Sequence, residues 1–440
     1  MKISKIEIKN YKKIKKLEVD IPADNKVICF VGENGSNKSS IISYLYSLVR
    51  KSSYLTSPSD KEDIFTENTF DISQESKERY YNVSTTISDG KSASVISGAA
   101  VSDYKSLDDE TKRTLQAAYR QEFSQQKTFM KRGVGNPLLP SGKDLVEDSV
   151  LLYRPSNRFE LAYYEQASTE SNDNWENPRN VVGHRRFPFK VQSGITEASS
   201  YFLDVILDYF VAMNSKTPSF NLHGYFSQLL KEIDPEFSQI VVRPFPNKGI
   251  ACKNLPTLSS LSAGQSDWLV TAINILVQMT EVISRGGTIS KDIREISGIV
   301  FIDEMDKNFH PKLQETILPW FTESFPNIQF VISTHSPYLI RSLDDKSYVI
   351  KLPEGELINE DFTYWDINEV SAKVFGRDLG FTENVQKELG ALKEAFRENN
   401  QQSANTIYRK LKGKSESLDQ ELTRIVYTLG SLDFIETLDA

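Results

Sequence analysis

The chain holds almost no cysteine and little histidine. Among 440 residues only Cys29 and Cys252 carry thiols, too few for a disulfide framework. A reducing cytoplasm is the expected setting for such usage. Cys29 lies in the apolar run Val27-Ile28-Cys29-Phe30-Val31, where a free buried thiol is expected. The four histidines do not cluster, which argues against a zinc or HNH nuclease centre in this chain. Long apolar runs are also missing. No window approaches the roughly 20 apolar residues of a membrane span. The alternating start Met1-Lys2-Ile3-Ser4-Lys5-Ile6 is not the unbroken stretch of a secretory signal. A soluble cytoplasmic protein with no membrane partner is therefore expected. Excess positive charge is absent too: 52 Lys and Arg face 60 Asp and Glu, a net charge of −8. That balance argues against a nucleic-acid coat but leaves room for a local basic groove.

What is present suffices for a folded protein. A hydrophobic fraction of 39% supplies a large core and argues against wholesale disorder. Residues 1–31 read as strands, ending in the apolar run at 27–31. A glycine-rich turn follows, and then Ile41, Ile42, Leu45, Leu48 and Val49 recur at helical spacing. Residues 80–98 alternate as a hairpin would, 103–132 and 198–232 read as helical, and 160–194 reads as a long polar loop. Asp267–Arg285 has a helical apolar stripe. Ile299–Ile302 and Phe330–Ile332 are unbroken apolar runs, as in a parallel sheet covered on both faces.

The expected organisation is a nucleotide-binding core in two halves, 1–55 and 256–365. A mostly helical insertion spans 56–255, and a C-terminal helical region spans 366–440. The apolar stripe Ile425, Val426, Leu429 and Leu432 suits local packing or a partner surface.

Gly32-Glu33-Asn34-Gly35-Ser36-Asn37-Lys38-Ser39 has the spacing of a phosphate loop between a strand and a helix. Backbone N–H groups from Asn34 to Ser40 and the helix N-terminus would hold the β- and γ-phosphates of ATP. Lys38 would bridge those phosphates, and the Ser39 hydroxyl would ligate Mg2+. Asn37 stands where glycine is common. Asparagine tolerates unusual backbone angles, but its side chain crowds the nucleotide, so slow turnover is expected.

The run Ile299–Ile302 ends in Asp303 and Glu304. Asp303 would hold the metal, and Glu304 would orient and deprotonate the attacking water. His335, in Ser333-Thr334-His335, would reach the γ-phosphate from the neighbouring strand. His310 suits a helix start. Leu261-Ser262-Ala263-Gly264-Gln265 precedes the 267–285 helix, and Ser262, Gly264 and Gln265 suit a γ-phosphate at a helix N-terminus. One chain cannot easily fold this segment over its own phosphate loop. A second copy placed head-to-tail would supply it, giving a dimer or a larger even-numbered oligomer.

These motifs resemble the ABC-type ATPases of the structural-maintenance-of-chromosomes, RecF and overcoming-lysogenization-defect group, over residues 1–50 and 255–345. The resemblance implies an α/β fold, a P-loop ABC-type core with a mostly parallel sheet. It makes Lys12, in Asn10-Tyr11-Lys12, a nucleotide contact, and leaves Gln74 as a weak candidate for the Gln-loop. The stretch between the halves lacks heptads, so no long coiled-coil arm is expected, and 346–440 lacks a toprim acid pattern. With Tyr153-Arg154-Pro155-Ser156-Asn157-Arg158 after a strand, the chain also resembles the PtuA ATPases of Septu anti-phage systems and their retron-associated relatives. That implies a separate HNH nuclease partner controlled by the ATPase. Arg154 and Arg158 suit either a loop ion pair or an interface. His184-Arg185-Arg186 with Phe187, Phe189 and Lys190 suits either DNA or RNA contact or a solvated loop. The alternative function is a RecF-like repair clamp that binds DNA directly.

Overall fold

The computed structural model describes residues 1–52, 61–62, 80–89, 93–101, 108–110, 112–113, 127–134, 146, 148–156, 228, 231–232, 240–243, 249–252, 262–286, 293–376 and 381–429. The chain opens with β1 (Lys2–Tyr11), β2 (Ile14–Asp20), β3 (Val27–Gly32) and helix α1 (Lys38–Ser52). Then come β4 (Lys61–Glu62), β5 (Tyr80–Ser88), β6 (Ala93–Val101), β7 (Lys127–Val134), β8 (Val150–Arg154), β9 (Ile240–Arg243) and β10 (Gly249–Cys252). Helix α2 (Ala263–Gly286) leads to β11 (Gly298–Ile302), α3 (Pro311–Ser324), β12 (Ile328–Ser333), α4 (Pro337–Ile340), β13 (Ser347–Leu352) and β14 (Glu356–Ile358). Helices α5 (Ile367–Phe375), α6 (Glu383–Arg397), α7 (Gln401–Leu411) and α8 (Glu416–Leu429) follow.

The core sheet runs β14-β13-β3-β12-β11-β8, and every pairing except β13–β14 is parallel. Its central strands β3, β11 and β12 are buried at every position, as their unbroken apolar sequences require. A second, antiparallel sheet runs β2-β1-β5-β6-β7-β4. Helix α1 touches strands of both sheets, including β11 and β12 of one and β5 and β6 of the other. Its Ile41, Ile42, Leu45, Leu48 and Val49 accordingly join one core with Ile6, Ile8, Val83, Ile96, Phe301 and Val331. Tyr44 meets Tyr11 and Tyr81 at the antiparallel sheet, and Tyr46 stacks on Tyr153 at 5.0 Å on the other side. Gln329 of β12, fully buried, joins the sheets through polar bonds. Its Oε1 accepts from Ile3 N at 2.7 Å, and its Nε2 donates to Ile3 O and Asn25 Oδ1.

Beyond the core sheet, Trp268 of α2 packs edge-on against Trp320 of α3, which touches Phe321 and Phe325. The chain divides into two units, Met1–Val370 and Ser371–Ala440. In the second, α6, α7 and α8 share a core of Leu389, Leu392, Tyr408, Leu411, Leu422, Ile425 and Val426, with Leu429 packed against it. The stripe at Ile425, Val426 and Leu429 therefore serves local packing, while Leu432 lies outside the described residues.

Of the span 56–255, read from the sequence as a mostly helical insertion, the structure describes a part. The described residues there are mostly strand, β4 to β10, with helical positions at 109–110, 112–113, 146, 228 and 231–232. Strand β5 pairs with β1 and β6 with β5, their alternating residues offering one apolar face to α1, and β8 is an edge strand of the core itself. Lys127–Val134, partly read as helix, pairs with β6 instead. Cross-strand partners outweighed its local helical spacing. Among the described residues no helix is long and apolar enough to cross a membrane.

Candidate functional site

The phosphate loop bridges the end of β3 and the start of α1. Gly32 is needed by space: a Cβ there would lie 2.2 Å from Leu352 O of the adjoining strand. Asn37 adopts φ +74°, a left-handed angle that asparagine bears better than most residues. Its Nδ2 is buried and finds no hydrogen-bond partner among the described residues. Lys38, 5% exposed, curls back into the loop. Its ammonium donates to Gly32 O and Glu33 O, both at 2.9 Å, and to Ser36 Oγ at 3.3 Å. Burial lowers its pKa, and the nearby carboxylates Asp303, Glu304 and Asp306 oppose that shift.

The acids arrive from β11. Parallel pairing sets Ile302 beside Arg154 and Ser333 beside Phe30, so the ends of β8, β11, β12 and β3 lie at one sheet edge. Ser39 Oγ donates to Asp303 Oδ1 at 3.0 Å, and Ser333 Oγ donates to the same oxygen at 2.5 Å. A hydroxyl and a carboxylate this close are oxygen donors of the kind a hard cation such as Mg2+ takes. Glu304 sits at φ +49°, and its N–H donates to Ser333 Oγ at 2.8 Å. Its carboxylate meets Lys307 Nζ at 3.2 Å, which also donates to Ser156 O at 2.9 Å. Asp306 Oδ1 accepts from Thr334 Oγ1 at 2.5 Å and from the His335 N–H at 3.3 Å. The exposed His335 ring has its pKa lowered, by partial burial first and then by the Lys38 charge.

Lys38, Ser39, Asp303, Glu304 and His335 thus share one electrostatic neighbourhood. Lys12 lies at its border. Its Nζ donates to Ser40 Oγ at 2.9 Å, while the Nζ of the adjacent Lys13 lies 3.5 Å from where a Cβ on Gly35 would stand. Asn34 and Gly35 are exposed, and Ser36 is buried. The Ser262 segment takes a local role at the helix start. Ser262 Oγ accepts from Gln265 N at 3.3 Å and Gln265 Oε1 accepts from Ser262 N at 3.1 Å, a reciprocal capping box for α2. Gly264 lies against the turn after the acids, where a Cβ would meet Asn308 O at 2.8 Å. His310 caps α3, with Nδ1 accepting from Lys312 N.

Sequence reasoning passed over Ser333, Asp306, Lys307 and Asp267. Ser333 carried a usable signal, since it lies within the Ser333-Thr334-His335 motif, and Asp306 lies two residues beyond the Asp303-Glu304 pair. Of the two roles open to Arg154, a loop ion pair or an interface, the structure shows an ion pair, joining a strand to a helix instead of lying within a loop. Arg154 is buried and paired with Asp267 at 2.7 Å. Gln74, Arg158 and the 184–190 basic cluster lie outside the described residues.

Comparison with known proteins agrees with the P-loop reading. Residues 1–137 match the family model described as "AAA ATPase domain", and residues 257–341 match "AAA domain, putative AbiEii toxin, Type IV TA system". The Retron Ec83 probable ATPase of Escherichia coli is 30% identical over 141 residues, covering 32% of this chain and 25% of that protein. The Septu protein PtuA of Bacillus thuringiensis is 23% identical over 131 residues, covering 27% and 32%. The chain spans about a third or less of the length of these curated relatives. An SMC head domain from Thermotoga maritima overlays with a TM-score of 0.39 at 14% identity, across 82% of this chain and 99% of that one.

Proposed function

We propose that this chain, which resembles the SMC- and RecF-like ATPases and among them those of retron and Septu defence, binds ATP with Mg2+ between two head-to-tail copies. It hydrolyses the nucleotide slowly and so controls a separate nuclease, of HNH type, in bacterial anti-phage defence. The observation that carries this reading is the convergence of Lys38, Ser39, Asp303 and Glu304 at one sheet edge.

The residues divide the work by chemistry. Lys38 exchanges the Gly32 and Glu33 carbonyls for the β- and γ-phosphates, and the loop N–H groups from Asn34 to Ser40 cradle the same oxygens. Ser39 and Asp303 would hold Mg2+, which would neutralise charge on the phosphates. Glu304 orients and deprotonates the attacking water, and His335 faces the γ-phosphate. Lys12 serves the end of the nucleotide nearest Ser40. Ser262, Gly264 and Gln265 act on the mate's nucleotide. Because the Ser262 hydroxyl is engaged in the cap, the α2 end presents backbone N–H groups to the γ-phosphate. Asn37 in place of glycine slows turnover. Direct DNA binding is the rival reading, and the net charge of −8 weighs against it.

The test pairs Glu304→Gln with Lys38→Ala. Glu304→Gln should hold ATP and self-associate while hydrolysis falls at least about a hundredfold. Lys38→Ala should lose nucleotide affinity. A Lys38→Ala protein that binds ATP as the wild type does would refute the site. Equal hydrolysis by wild type and Glu304→Gln would refute the role of the acid. Mixing with an HNH nuclease, if one is encoded beside the gene, should give ATP-dependent control of DNA cleavage, and an ATPase that cuts DNA unaided would remove that partner.

A further inference from the structure

Four charged side chains are buried among the described residues: Lys38, Asp303, Arg154 and Asp267. The first two belong to the phosphate site. The other two pair with each other, Arg154 Nη2 to Asp267 Oδ1 at 2.7 Å, between the last residue of β8 and the early turns of α2. Each end of this pair leads to a part of the proposed ATP machinery. On the β8 side, the Arg154 carbonyl accepts from Asp303 N at 2.9 Å. Two residues further on, Ser156 O is held by Lys307, whose ammonium also meets Glu304. On the α2 side, Asp267 lies two residues beyond Gln265, the end of the Ser262–Gln265 capping box. A second tie runs the same way, with Gln278 Oε1 of α2 accepting from Leu151 N of β8 at 2.9 Å.

A buried ion pair does not slide. Pulling it apart strands two charges out of water, so the elements it joins move together or not at all. We infer that the Arg154–Asp267 pair is the link by which Mg-ATP at Asp303 and Glu304 sets the position of the Ser262–Gln265 segment offered to the mate. Arg154 and Asp267 touch no phosphate. They are positioning residues, and their role rests on the head-to-tail reading proposed above. Occupancy of one copy's site then strengthens association because the α2 end is drawn into the place the mate's nucleotide requires.

The test uses the whole chain with Arg154→Met and Asp267→Leu together, an apolar exchange that buried pairs tolerate. A fluorescent, non-hydrolysable ATP analogue with Mg2+ reports binding, and sedimentation velocity with and without the analogue reports self-association. The double variant should bind the analogue within about twofold of wild type yet lose about tenfold or more of the strengthening of association. Strengthening equal to wild type overturns the link while leaving the head-to-tail reading intact. A wild type whose association ignores the analogue overturns both. A second measurement needs no variant. In monomeric wild-type protein, the analogue should slow amide hydrogen exchange in the first turns of α2 together with residues 154–156. Slowing around Asp303 with no change in α2 also overturns the link.

Discussion

The stability of the Arg154–Asp267 pair gives the sharpest test of the fold itself. The side chains are 2% and 6% exposed and meet at 2.7 Å, so neither charge has water to fall back on. Removing one partner leaves the other buried and uncompensated, a loss of about 3–5 kcal/mol. Against a typical total of about 5–15 kcal/mol, Arg154→Met or Asp267→Leu alone would leave the first unit close to unfolding. Replacing both removes the charge problem and should cost about 1 kcal/mol or less. The double variant should therefore be more stable than either single one, by at least about 2 kcal/mol. Urea unfolding followed by tryptophan fluorescence suits the measurement, because Trp268 adjoins Asp267 and packs on Trp320 at 5.1 Å. Additive losses, or single variants within about 1 kcal/mol of wild type, would refute the argument from burial.

Two other measurements address the phosphate loop. Asn37→Gly should relieve the left-handed strain and remove the unpartnered Nδ2, offset in part by about 0.5–1 kcal/mol of chain entropy. Unchanged or higher stability with faster hydrolysis is expected, and slower hydrolysis would contradict crowding by Asn37. His335 should titrate below its ordinary value near 6.5 in the free protein, and an NMR titration of the four histidines, assigned with His335→Gln, reads this. Because the folded state then binds fewer protons than the unfolded one, His335 subtracts stability as pH falls through the window just below 6.5. Bound triphosphate should raise the midpoint. A midpoint above 6.5 without nucleotide would refute the environment described.

Much of this was legible because parallel core strands are apolar on both faces. Val27–Val31, Ile299–Ile302 and Phe330–Ile332 announce themselves without tertiary information. The spacing from Gly32 to Ser39 and the acids after β11 are equally local signals. The antiparallel extension was harder. Strand β7 is made by its pairing to β6, a non-local fact that helical spacing in 103–132 obscured. Arg154 was visible but ambiguous, since its partner lies 113 positions away on a different element. Ser262 and Gln265 matched a nucleotide signature, and the same spacing is also that of a capping box.

The curled Lys38 has a further consequence for what the cradle accepts. With its ammonium already bound to two main-chain oxygens and Ser36 Oγ, the loop is plugged by its own cation. Any incoming anion must first win that cation away. A lone orthophosphate offers little in return, whereas a triphosphate can spread its oxygens along the whole loop and repay the exchange. Abundant inorganic anions should thus be poor competitors, and the cradle filters its visitors by length.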